Sequence, residues 1–187
     1  DIMPARAEHG GHNLTLRGRM TAAEAFTVGD LVSVVDAGTI TQLPADTTQA
    51  LIADLDSGRI CGIACNPGVD PSTNTALVDP RTGAAYATGA EILYWPAVHG
   101  ILFKTDNVIT AGGTGVSVPA GTIIGESLQL TFDTLATRAG WGVELTAGVP
   151  GTDILAIVHD VLDSRGRPIA ATDTTTGVTV LFEIKTV

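Results

Sequence analysis

Charge is scarce in this chain of 187 residues, and basic charge most of all. Charged side chains make up 16% of it, with 10 Lys and Arg against 20 Asp and Glu, where an ordinary soluble domain carries about 25%. The net charge of −10 and the lack of any Lys/Arg stripe exclude a nucleic-acid partner, whose phosphates need a row of cations. No apolar run approaches the roughly 20 residues that cross a bilayer, and no stretch has the basic-then-apolar make-up of an export signal. A membrane partner is therefore not expected. Cysteine is limited to Cys61 and Cys65. Four apart on one strand, they share a face but lie too far from each other to bridge. With no second Cys or His pair at ligand spacing, they read as two buried, inert thiols rather than a metal or redox pair. The chain is long enough to bury a core without disulfides or metal.

What is abundant is the short β-favouring run. Val28-Gly29-Asp30 leads into Leu31-Val32-Ser33-Val34-Val35, and Asp36-Ala37-Gly38 turns the chain into Thr39-Ile40-Thr41-Gln42-Leu43. Two such runs joined by a Gly-containing turn predict a hairpin. A strand is expected over 59–65, then a long polar loop from Asn66 to Thr75. A second hairpin is expected across Asp79-Pro80-Arg81-Thr82-Gly83, between Ala76-Leu77-Val78 and Ala84–Thr88. Glu91 to Lys104 holds Tyr94, Trp95 and Phe103 and is cut by Pro96 and Gly100 into two strands. The strongest late strands are 154–162 and 178–184, with Asp163-Ser164-Arg165-Gly166 turning the chain after the first. Residues 46–55 fit a short capped helix or a strand equally well. Roughly ten short strands at this spacing predict an all-β fold, a small barrel or jelly-roll-like sandwich.

Residues 1–24 differ from the rest. Arg6, Arg17 and Arg19 against Asp1 and Glu8 leave residues 1–20 at +1 and the remainder of the chain at −11. This leader reads as an extended N-terminal arm that gains order on another subunit, or as a first edge strand, since Asn13-Leu14-Thr15-Leu16 alternates properly. The β-rich body is expected over 25–187, as a core barrel with or without a smaller lobe. Arg6, Arg17 and Arg19 are the candidate partner contacts of the leader. Trp95 is a fourth, because the Tyr94-Trp95 pair alternates faces on a strand, so that one ring enters the core and the other is available to an interface, where aromatics are enriched.

Catalytic constellations are not evident, so no enzyme activity and no cofactor are expected. Gly125-Glu126-Ser127-Leu128-Gln129 lacks the second glycine and the strand–turn–helix setting of a nucleophile elbow. His9 and His12 offer two imidazoles without a third ligand. His159 and Asp160 point to opposite faces of a strand and cannot form a local acid–base pair. Asp70, Asn74 and Asp79 lack the spacing of an EF-hand loop, and Gly112-Gly113-Thr114-Gly115 lacks the Lys-Ser/Thr of a phosphate cradle and reads as a flexible loop.

Phe26-Thr27-Val28-Gly29-Asp30-Leu31-Val32, Ile60-Cys61-Gly62-Ile63-Ala64 and Pro119-Ala120-Gly121-Thr122-Ile123-Ile124-Gly125 give the chain, over about 25–130, a likeness in style. It resembles the decoration (cement) proteins of tailed-bacteriophage capsids. The resemblance implies a small β-rich protein, made in the host cytoplasm, that assembles as dimers or trimers on the outside of the virion. It would fasten neighbouring major capsid protein subunits together. Another virion structural or host-adhesion module (tail, baseplate or fibre) and a carbohydrate-binding or hydrolytic β-sandwich remain as alternatives.

Overall fold

The structure is a computed structural model, and it describes residues 2–7, 15–20, 28–34, 38–43, 60–65, 69–70, 75–76, 91–112, 115–133, 140–174 and 177–185. Fourteen strands run through these residues. They are β1 (Met3–Ala7), β2 (Leu16–Arg19), β3 (Leu31–Val34), β4 (Ile40–Gln42), β5 (Ile60–Ala64), β6 (Val69–Asp70), β7 (Thr75–Ala76), β8 (Glu91–Pro96), β9 (Ile101–Thr105), β10 (Val108–Ile109), β11 (Ser127–Asp133), β12 (Gly140–Ala147), β13 (Leu155–Leu162) and β14 (Thr179–Lys185). A single 3₁₀ turn, Gly121–Ile123, is the only helical element among the described residues. The fold is all-β, as the composition and turn spacing predict. Two curled sheets face each other as a half-barrel or sandwich.

The seven-stranded sheet has the order β1-β9-β14-β13-β11-β12-β10, and the five-stranded sheet the order β2-β8-β5-β3-β4. The alternation that makes a strand amphipathic is plainest in β14. Val180, Phe182 and Ile184 are buried in the main core, while Thr179, Leu181 and Glu183 lie on the other face. Phe103 of β9 meets Phe182 with ring centroids 6.2 Å apart. Leu31, Ile60 and Ile63 of the five-stranded sheet close the same core from the opposite side.

The hairpin of 31–43 forms as β3 and β4, with Val34 opposite Ile40. Gly38 sits at φ +75°, a left-handed conformation that favours glycine. The aromatic segment divides as expected, but its halves join different sheets. β8 lies in the five-stranded sheet and β9 in the seven-stranded one, and the chain crosses between them through a turn closed by Ile101 N–H to Val98 C=O at 3.1 Å.

Two expectations change. The polar loop of 66–75 contains a two-stranded ladder, Val69 opposite Ala76 and Asp70 opposite Thr75. In the leader, the edge-strand alternative is the one its described residues adopt. β1 pairs antiparallel with β9 at the margin of one sheet, and β2 with β8 at the margin of the other. Backbone donors and acceptors of an extended segment need partners, and here the chain's own sheets supply them. Met20, directly after β2, also bridges Ile40 of β4 in parallel, which draws the two ends of the five-stranded sheet together. Residues 21–24 and 46–55, the second predicted hairpin across 79–83, and His9, His12, Asn74 and Asp79 lie outside the described residues.

Candidate functional site

The structure brings three of the four sequence-derived contact residues onto one face of one sheet. On β2, Arg17 and Arg19 are exposed and alternate with Leu16 and Gly18. Antiparallel register sets Arg17 opposite Leu93 and Leu16 opposite Tyr94. Opposed residues share a face, so Arg17, Arg19, Leu93 and Trp95 all lie on the same side of the five-stranded sheet. Gly18 lies on the other side, where an added Cβ would stand 2.3 Å from Ile40 Cδ1. Trp95 is half-buried and packs against the main core beside Ile63, its register partner on β5. Tyr94 turns the other way, against a second cluster formed by Met20, Val32, Ile40, Ala64 and Ile92. Arg6 is on β1, in register with Leu102 of the other sheet, and so does not join the other two arginines.

A second constellation escapes sequence reading. Glu183 of β14 accepts a hydrogen bond from the Gly100 N–H at 3.3 Å, and its Oε1 lies 2.8 Å from His99 Nδ1. Its other carboxylate oxygen is 3.4 Å from His159 Nε2. His159 reaches it because the β13–β14 register shifts between Val158 and Asp160, leaving His159 as the bulged residue. The His99 ring is 91% exposed and the Glu183 side chain 13%. His99 and Glu183, with Ala97, Ile157, Ile184 and Lys185, line a depression of about 400 Å³. Glu183 holds the His99 ring in place through Nδ1 and leaves its Nε2 directed away from that contact. The separation of 84 residues between His99 and Glu183 explains why no local pattern announces the pair.

The outer face of β11 and β12 carries a buried polar layer. Glu144 accepts from the Thr131 and Thr146 hydroxyls, both at 2.7 Å, and from the Gly112 N–H at 2.8 Å. Asp153 accepts from the Gln129 amide at 3.1 Å and the Val149 N–H at 2.7 Å. Apart from Thr146, which lies on β12 with Glu144, these bonds join β11 and β12 to each other and to the turns at Gly112 and Val149, so the carboxylates pin loops to the sheet. The Gly112 contact ties down one end of the segment expected to be a flexible loop. Cys65 is half-buried, and burial pushes its thiol up from the ordinary value, which disfavours the thiolate. Among the described residues no three His, Cys, Asp or Glu side chains are grouped to hold a metal ion, and no helix is long and apolar enough to cross a membrane. Comparison with protein-family models and with curated proteins finds no match to this chain.

Proposed function

We propose that this chain is a structural virion protein that binds the outer surface of a tailed-phage capsid and fastens neighbouring major capsid protein subunits. One observation carries the reading. The part of the mildly cationic leader that lies in the five-stranded sheet is β2, where Arg17 and Arg19 stand exposed on an otherwise acidic body. Exposed guanidinium groups add charge-assisted hydrogen bonds to carboxylates of a docked surface. Trp95, on the same sheet face one strand inward, gives that rim an aromatic neighbour. A strand already ordered on its own sheet loses less conformational freedom on docking than a free arm would.

Deleting residues 1–20 would remove strands from both sheets, so charge reversal is the better test. Purified wild-type protein is mixed with undecorated heads of its phage, and occupancy is read by sedimentation and by microscopy of labelled particles. R17E/R19E should fold normally, as judged by circular dichroism, and occupy the heads at least about tenfold more weakly. Equal occupancy by the variant overturns the role of the rim. Wild-type label on tails rather than heads assigns the chain to a different virion part.

A further inference from the structure

We propose that the segment Gly115–Pro119 is the edge through which two copies of this chain pair, strand to strand, about a two-fold axis at Ser117. The segment lies outside β10, beyond the last strand of the seven-stranded sheet. Ile109 of β10 and Val116 form an antiparallel bridge. Ser117 N–H donates to Val108 C=O at 2.8 Å, and Thr110 N–H donates to Gly115 C=O at 2.8 Å. These two bonds bracket the 109–116 pair, which is therefore a non-hydrogen-bonded pair. Gly115 and Ser117 aim their main-chain groups inward at β10, and alternation aims those of Val116 and Val118 outward. Among the described residues, neither the N–H nor the C=O of Val116 or Val118 has a hydrogen-bond partner. Their side chains are 49% and 54% exposed, while Ser117 between them is half-buried and Pro119 is buried.

The pattern is self-complementary. Two such segments laid antiparallel with Ser117 opposite Ser117 set Val116 of each copy opposite Val118 of the other. Each of those pairs exchanges two hydrogen bonds, making four, and its valines meet on one face. Pro119, which has no N–H to give, falls at an inward-facing position and costs the new ladder nothing. This self-complementarity selects a second copy as the occupant, and the charge distribution permits it. The molecule carries −10, so two copies repel through most of their surface, but no charged residue occurs between Asp106 and Glu126. Natural edges are usually guarded by shortness, Lys, Pro, bulges or inward charges; between Gly115 and Val118 this edge has no Lys, Pro or charge. The inference stands apart from the capsid reading, since it concerns the free protein.

The test is made on the full chain in solution, without capsids. Light scattering across a concentration series should give twice the 19.1 kDa chain mass. V116E/V118E, which opposes Glu to Glu in the paired register, should keep the wild-type circular dichroism spectrum and weaken the dimer at least about tenfold. V116K/V118E sets opposite charges at the facing positions and should restore the dimer, which only this register predicts. The amide hydrogens of Val116 and Val118 should exchange rapidly in dilute protein and become protected as concentration rises. A monomer at every concentration, a trimer, an undiminished V116E/V118E dimer or unprotected amides in the dimer would overturn the proposal, because two-fold edge pairing closes at two. None of these outcomes bears on whether R17E/R19E loses the heads.

Discussion

The two sheets share a core but differ in what lies behind them. The five-stranded sheet buries apolar side chains on both faces. Leu31, Ile60 and Ile63 enter the main core, and Val32, Ile40, Ala64 and Ile92 are buried in a second cluster on the reverse. The seven-stranded sheet is apolar on one face only. Behind β11 and β12 stand Gln129, Thr131 and Glu144, buried but hydrogen-bonded, and behind β13 and β14 stand the half-buried Ile157, Leu181 and Glu183. An apolar reverse face is held by contact area alone, whereas a polar one holds only while each donor keeps its acceptor. The first behaves as an internal layer of the molecule and the second as a fastening for loops.

The strongest way to break this contrast is to cut equivalent side chains from the two reverse faces. Ile92→Ala should destabilise the protein by about 2–5 kcal/mol, as for a fully enclosed core residue. Leu181→Ala, on the reverse of the seven-stranded sheet, should cost less, about 1–2 kcal/mol, because Leu181 is only half-buried and part of its area stays in water. Urea unfolding of the two variants measures both. Equal losses would mean that the reverse faces do not differ in burial.

The polar layer sharpens the contrast from the other side. Glu144→Ala removes one acceptor from three donors, and the Gly112 N–H cannot turn toward another partner as a hydroxyl can. The expected loss is about 1–3 kcal/mol, with faster amide exchange at Gly112 as its local signature. Glu144→Gln retains one oxygen and should lie between the wild type and the alanine variant. An alanine variant as stable as the wild type would remove the layer's structural role.

Which parts of this architecture could be read beforehand follows from how local their causes are. The 31–43 hairpin, β13 and β14 are written in period-2 apolar runs ended by turn residues, so they were legible. β12 was not, because Gly140 and Gly142 break the β-favouring run. The reason for Gly142 is distant. A Cβ there would lie 2.4 Å from the Asn107 carbonyl oxygen. Strict alternation set His159 and Asp160 on opposite faces, whereas the bulge takes His159 out of register and toward Glu183. The contact residues fared differently. Arg17, Arg19 and Trp95 were picked by charge and residue type, and it took the β2–β8–β5 register to reveal that they share a face. The outward-aimed valines depend on which strand is last in a sheet, a fact no local window contains.

The smallest expected effect concerns the turn after β13, where the half-buried Asp163 carboxylate fastens the loop. Asp163 Oδ1 accepts from the Arg165 and Arg167 N–H groups at 2.8 and 2.9 Å, and Oδ2 accepts from the Arg167 guanidinium at 3.1 and 2.9 Å. The Arg167 main-chain bond foremost, then its side chain, the Arg165 N–H and the Arg167 charge, hold this carboxyl below the usual aspartate range. A carboxyl whose folded-state value is depressed contributes stability that is present above its unfolded value, near 3.9, and lost as pH falls through the folded value. Asp163→Asn should therefore lower the melting temperature slightly at neutral pH, and the difference between the two proteins should close in acid. Salt should shrink it as well, since water screens every partner in the turn. A difference that persists unchanged below the folded value would mean that the carboxylate's charge contributes nothing, and no difference at any pH would mean that the turn is held by its main-chain bonds alone, as the Gly166 N–H to Asp163 C=O bond at 2.9 Å would allow.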